Sequence, residues 1–199
     1  MANRNSAGWG LRPAGTLGNT PATHGLSQYW IDSAATVNLF HGMAMKSTAG
    51  YMITGESATT VTTLGVLQGI FYNAATTLKP TWASWYDATI TPANSEDTQA
   101  FVNDYPFQKY TVASDAQVAS TIAGAHAVFM ETFSGTQNTG GNTTTGVSTN
   151  TLDIGQTNAT THTWRLLRSA EDPENNDLTA AYCTLEVVQN LSEFVGTGT

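Results

Sequence analysis

Along this chain, alternation of apolar and polar positions sets in only near residue 29. Residues 1–30 follow neither the period of a strand nor that of a helix, and Gly, Pro, Asn and Thr keep interrupting them. From Tyr29 the pattern is that of strands. "QYWIDSAATVNLFHGMAMKST" predicts two short strands with a turn or bulge at His41-Gly42, and "GYMITGES" a further one. In "TTLGVLQGIFYNAATTLKPTWASWYDATI", Leu64, Val66 and Ile70 fall to one side, while Gly65 and Gly69 punctuate the run. Glycine inside a strand marks a bend or a close backbone approach, as at the corner of a small barrel. "AFVNDYPFQKYTVAS" predicts a strand pair or a bent strand, broken at Asp104-Tyr105-Pro106 because proline cannot donate to a central ladder.

The second half is less regular. "DAQVASTIAGAHAVFME" fits a short helix by its alanines and a strand by Ala125, Ala127 and Phe129. Residues 133–153, rich in Gly, Thr and Asn, predict a long loop in which Val147 and Leu152 begin a strand. "HTWRLLRSA" and "AAYCTLEVVQN" are the clearest late strands, joined by the acidic run 171–177. The expectation is an all-β protein, an antiparallel small barrel or sandwich with an extended N-terminal arm. Three segments follow: an arm at 1–30, a β-barrel-like subdomain at 31–118, and a second β subdomain at 119–199.

Composition sharpens this picture. Only 11% of the 199 residues are charged and Thr is the commonest type, which suits pleated, half-buried strands better than helices. The formal net charge of −8 argues against nucleic acid as a partner, since phosphates would be repelled. No apolar run is long enough to span a membrane, and the N-terminus lacks the apolar region of a signal peptide. The expectation is a protein that works where it is made or is carried elsewhere in an assembly. Cys183 stands alone, so no internal disulfide or cysteine-based zinc site can form, and its apolar run predicts a buried small hydrophobe.

Chemistry is sparsely signalled. Glu171, Asp172, Glu174 and Asp177 lack the glycine and spacing of a calcium loop, and Asp172-Pro173 followed by Asn175-Asn176 predicts a polar turn. His24, His41, His126 and His162 form no metal-binding pair, and no nucleophile elbow is present. "GWGLRP" is not a dinucleotide-binding loop, since no strand precedes it. Sequons at Asn142, Asn158 and Asn190 are what a Thr-rich chain produces by chance. Neither an enzyme nor a cofactor is expected.

Two features favour binding. Trp9, Leu11 and Leu17 are anchors that a solvated tail does not need, and Arg4 and Arg12 precede the first acid, Asp32. Such an arm can lie on another protein's surface and order on contact. The cluster Phe71, Tyr72, Trp82, Trp85 and Tyr86 suits a core, an oligomer interface or a sugar-binding platform. Trp82 and Trp85, three apart, would face opposite sides of a strand, which fits an interface better than one stacking cleft.

The opening arm, "LGVLQGIFYNAATTLKPTWASWY", "NDYPFQKYTVASDA", "GNTTTG" and "LLRSAEDPENNDLTAAYCTLEVVQNL", in that order, resemble virion structural proteins of tailed bacteriophages, of the capsid decoration or cement kind. The likeness spans nearly the whole chain. It implies a non-enzymatic protein on the outer capsid surface of the virion, assembled with further copies of itself as a homotrimer and bound to the major capsid protein. The arm residues implied to contact the capsid are Arg4, Asn5, Trp9, Leu11, Arg12 and Leu17, with Phe71, Tyr72, Trp82, Trp85 and Tyr86 at an oligomer or capsid interface. The rival expectation is a virion-surface carbohydrate-binding module that touches host glycans through Trp82, Trp85 and Tyr86. The major shell protein itself is a weaker fit, because the chain is short and lacks a long helix.

Overall fold

The computed structural model describes residues 3–19, 25–55, 61–118, 131–133, 135–136, 140–154 and 162–197. The ambiguous stretch 119–130, with Ala125, His126, Ala127 and Phe129, lies outside the described residues, as do His24 and Asn158. In chain order, strand β1 (Arg12–Thr16) leads into a 3-10 turn at Leu17–Asn19. Then come β2 (Ser27–Ile31), β3 (Ala44–Thr48), β4 (Tyr51–Thr54) and β5 (Gly65–Asn73). β6 (Pro80–Ala83), β7 (Thr98–Asn103) and β8 (Gln108–Ala113) follow, with a 3-10 turn at Ala93–Ser95. Short strands β9 (Glu131–Phe133), β10 (Gly135–Thr136), β11 (Gly141–Asn142), β12 (Val147–Ser148) and β13 (Thr151–Leu152) precede the long β14 (Trp164–Ser169) and β15 (Thr184–Gln189). A small hairpin, β16 (Leu191–Ser192) and β17 (Gly196–Thr197), ends the described chain.

Two antiparallel sheets pack as a sandwich. One runs β1-β8-β15-β14-β9; the other runs β2-β7-β5-β3-β4, with β6 added to the C-terminal half of β5. The five-stranded sheet draws on each of the three segments expected from the sequence: β1 from 1–30, β8 from 31–118, and β9, β14 and β15 from 119–199. The six-stranded sheet curls until its edges β2 and β4 approach each other, but no ladder joins them, so no closed barrel forms.

Two clusters fill the interior. Tyr110, Val112, Trp164, Leu166, Leu185 and Val187 of the five-stranded sheet meet Ala44 and Val66 from the other. Ile31, Met45, Met52, Leu67, Ile70, Ala100 and Val102 fill the inside of the curl. Ala44 and Val66, opposite each other in the ladder, face the first cluster, whereas their neighbours Met45 and Leu67 belong to the second. β3 and β5 are thus covered on both sides, and Leu64, Val66 and Ile70 do not share one face as their spacing predicts: Val66 faces the first cluster, Leu64 and Ile70 the second, with the β5–β7 register shifting between Leu67 and Gly69.

Local predictions fare well where the signal is covalent. Pro106 lies in the turn between β7 and β8, and Gly65 sits where a Cβ would strike the carbonyl oxygen of Asn103. The stretch 133–153, expected as a long loop in which Val147 and Leu152 begin a strand, carries short ladders: Val147 begins β12, which pairs with β11, and Leu152 lies in β13, which pairs with β10. Asn142 Oδ1 accepts from the Thr144 and Thr145 amides and turns that hairpin, a local bond that compensates for its weak apolar pattern. Cys183 is buried against Ser114, and burial pushes its thiol up.

Candidate functional site

The segment expected as a capsid-binding arm is engaged by this chain's own body. Asn3 Nδ2 donates to the carbonyls of Asp177 and Ala181 at 3.0 and 2.8 Å, and its Oδ1 accepts from the Asp177 amide at 3.0 Å. Arg4 donates to both carboxylate oxygens of Glu174 at 2.7 Å, and the Asn5 amide donates to Asn175 Oδ1 at 2.8 Å. Arg12 lies over the ring of Trp9, 5.5 Å from its centroid. Leu11 is only 4% exposed and packs in the core between the sheets. The Leu17 amide donates to the Phe107 carbonyl at 2.9 Å.

The acidic run thus receives the N-terminal segment. Its carboxylates point to separate partners: Glu174 to Arg4, Asp172 to Asn175 and Thr184, and Asp177 to Thr179. The Asn175 amide, then the Glu174 amide, hold the Asp172 carboxyl below its ordinary range, and Thr179 does the same for Asp177. Among the described residues, no three His, Cys, Asp or Glu side chains gather to hold a metal ion.

The five aromatic residues expected at an interface are divided by the pleat. Tyr86 is 2% exposed and donates to the Ala35 carbonyl at 3.3 Å. Trp85 is half-buried and stacks on Phe40, with centroids 5.2 Å apart and planes 10° from parallel. Tyr72 packs on the core inside the curl. Trp82, Trp85 and Tyr86 therefore do not form a single stacking platform. Phe71 and Trp82, opposite each other in the β5–β6 ladder, share the outer face of the sheet.

Register extends that outer face. Trp30 on β2 is opposite Gln99 on β7, Gln99 is opposite Phe71 on β5, and Phe71 is opposite Trp82 on β6. Residues directly opposite in an antiparallel ladder point the same way, so these four form one row across four strands. Trp82 ends the row 55% exposed and Trp30 begins it 48% exposed. The Trp82 ring rests on Phe101, centroids 4.7 Å apart, and covers Gly69, where a Cβ would come within 2.5 Å of its Cζ2. No spacing in the sequence marks Trp30, Gln99 and Phe101 as parts of one surface. The alternation Tyr29-in, Trp30-out, Ile31-in in β2 was the available signal for Trp30, but no local pattern links it to Phe71.

At the Trp30 end the row borders a cleft of about 560 Å³. It lies where the β3–β4 turn at Ala49 and Gly50 meets the residues leading into β7. Compared with known proteins, the chain matches no family model, no curated protein and no solved structure.

Proposed function

We propose that the protein is a non-enzymatic capsid decoration protein that binds the outer surface of a mature phage head, as a homotrimer held against the major capsid protein. One observation carries the reading: Trp82 stands more than half exposed on an edge strand, yet its ring is fixed between Gly69 and Phe101. A large aromatic that is rigid before binding loses little freedom on contact, which is how a few residues come to dominate an interface. Strand β6 pairs only with β5 among the described strands, so its other edge offers backbone groups to a partner strand.

The sequence landmarks that resemble phage decoration proteins supply the partner. The acidic balance suits a body that faces away from packaged DNA. The expected arm takes a different part in this reading. Because its residues 3–19 are seated on the body, β1 acts as the open edge of the five-stranded sheet rather than as a free strand. Binding only to the expanded shell stabilises that shell by mass action.

The test is cosedimentation of the Trp82→Ala protein with purified heads that lack decoration. A loss of about 2 kcal/mol, roughly 30-fold in affinity, is expected, with a cooperative melting curve showing that the variant is folded. Wild-type occupancy by the variant, or no binding of the wild-type protein to such heads, would overturn the reading.

A further inference from the structure

The cleft beside Trp30 has the chemistry of a small-ligand site, and the decoration reading makes no use of it. Its walls include Trp30, Phe71 and Tyr51, and its polar groups include Asn73, Gln99 and Glu96. We propose that this cleft binds a neutral saccharide.

Four observations carry the choice. First, the cleft's volume is within the range of small-molecule sites, which run from about 300 to 1,000 Å³. Second, the half-exposed indole of Trp30 and the ring of Phe71 lie on one face two ladder steps apart, roughly 10 Å. Flat apolar faces held at that separation match the C–H faces of sugar rings in a chain. Third, the side-chain amides of Gln99 and Asn73 have no hydrogen-bond partner among the described residues. An amide presents both donors and an acceptor, and so complements the hydroxyls of a sugar, each of which donates and accepts.

Fourth, charge narrows the ligand. Glu96 and Asp97 line the cleft and no Lys or Arg does, so an anionic glycan would meet only repulsion. An organic cation is the competing ligand for aromatic rings beside carboxylates. Asp97, however, is already engaged: its Oδ1 accepts from the Ser33 amide at 2.9 Å and its Oδ2 from the Tyr51 hydroxyl at 3.1 Å. Glu96 lies exposed at the rim and accepts only a long bond of 3.5 Å from Asn94 Nδ2, and a cation would leave the donors of Gln99 and Asn73 unused.

The experiment is titration of the full chain with neutral gluco-, manno- and galacto-oligosaccharides, followed by tryptophan fluorescence and calorimetry, beside tetramethylammonium. We expect at least one neutral oligosaccharide to bind, with roughly 10-fold or greater weakening in Trp30→Ala and a smaller loss in Gln99→Ala. Trp82→Ala should keep sugar binding while losing heads, and Trp30→Ala should keep heads, so the two proposals fail separately. Both cleft variants replace residues outside the two cores, and their melting curves establish that they are folded. No binding across the panel, affinity unchanged in folded Trp30→Ala, or preference for tetramethylammonium would overturn the proposal.

Discussion

Trp82 holds its orientation because the residue beneath it has no side chain. A Cβ at Gly69 would lie 2.5 Å from Trp82 Cζ2 and 3.1 Å from the Ala83 carbonyl oxygen. Gly69→Ala should therefore tilt the indole off Phe101 while costing the fold only about 1 kcal/mol, because the displaced ring is free to move into solvent. Near-ultraviolet circular dichroism and head binding should both change; if neither does, the packing of Trp82 on Gly69 is not what orients it. Gly146 is a different case. Its φ of +70° and the ring of Trp85 above it leave no room for a side chain, and Trp85 is itself backed by Phe40. Gly146→Ala combines backbone strain with overpacking and should cost about 2–4 kcal/mol in urea unfolding. A value near zero would mean that this hairpin shifts freely.

Among the elements, the acidic turn has the clearest role. It offers Asn175, Glu174 and the carbonyls around Asp177 to the first residues of the chain. Asp172 organises it by accepting from the Glu174 amide, Asn175 Nδ2 and the Thr184 hydroxyl. These bonds favour the ionised carboxyl and depress its pKa in the folded state. The group's contribution is thus full above its unfolded pKa and is lost as pH falls through the folded value, below about pH 4. Amide exchange at Asn5, which is tied to Asn175, should accelerate in that range. Asp172→Asn should show fast exchange already at neutral pH and a flatter acid response. Exchange at Asn5 that ignores both acid and substitution would separate the turn from the N-terminal segment.

For the whole molecule, the seating of residues 3–19 makes the N-terminal segment part of the folded body. Removing residues 2–25 takes away β1 and Leu11, which is buried between the sheets. Loss of the Leu11 side chain alone should cost about 2–5 kcal/mol, so Leu11→Ala or the truncation should destabilise the body in denaturant. A truncated protein as stable as the full chain would show that the segment is only lightly held. The two cores share β3 and β5, whose neighbouring residues face opposite ways. Unfolding should accordingly be one transition, coincident by tryptophan fluorescence and far-ultraviolet circular dichroism. Two separated transitions would divide the molecule into independent units.

The chain's own pattern determined the all-β class, the late strands around Trp164–Ser169 and Thr184–Gln189, the break at Pro106 and the polar turn after Asp172. Each depends on the residue itself or its immediate neighbours: alternation along a strand, a missing amide hydrogen, a side chain that bonds its own backbone. Choosing between barrel and sandwich depended on which strand edges pair, and the body's hold on the N-terminal segment depended on contacts some 170 residues apart in the chain. The binding surface was equally out of reach of local pattern. Phe71 and Trp82 stood out by composition, but Trp30 and Gln99 join them only through the register of four strands. A one-residue slip of β2 would have turned Trp30 to the opposite face. Tertiary packing excludes that slip, because Ile31 must occupy the core inside the curl and Trp30 is thereby turned to solvent.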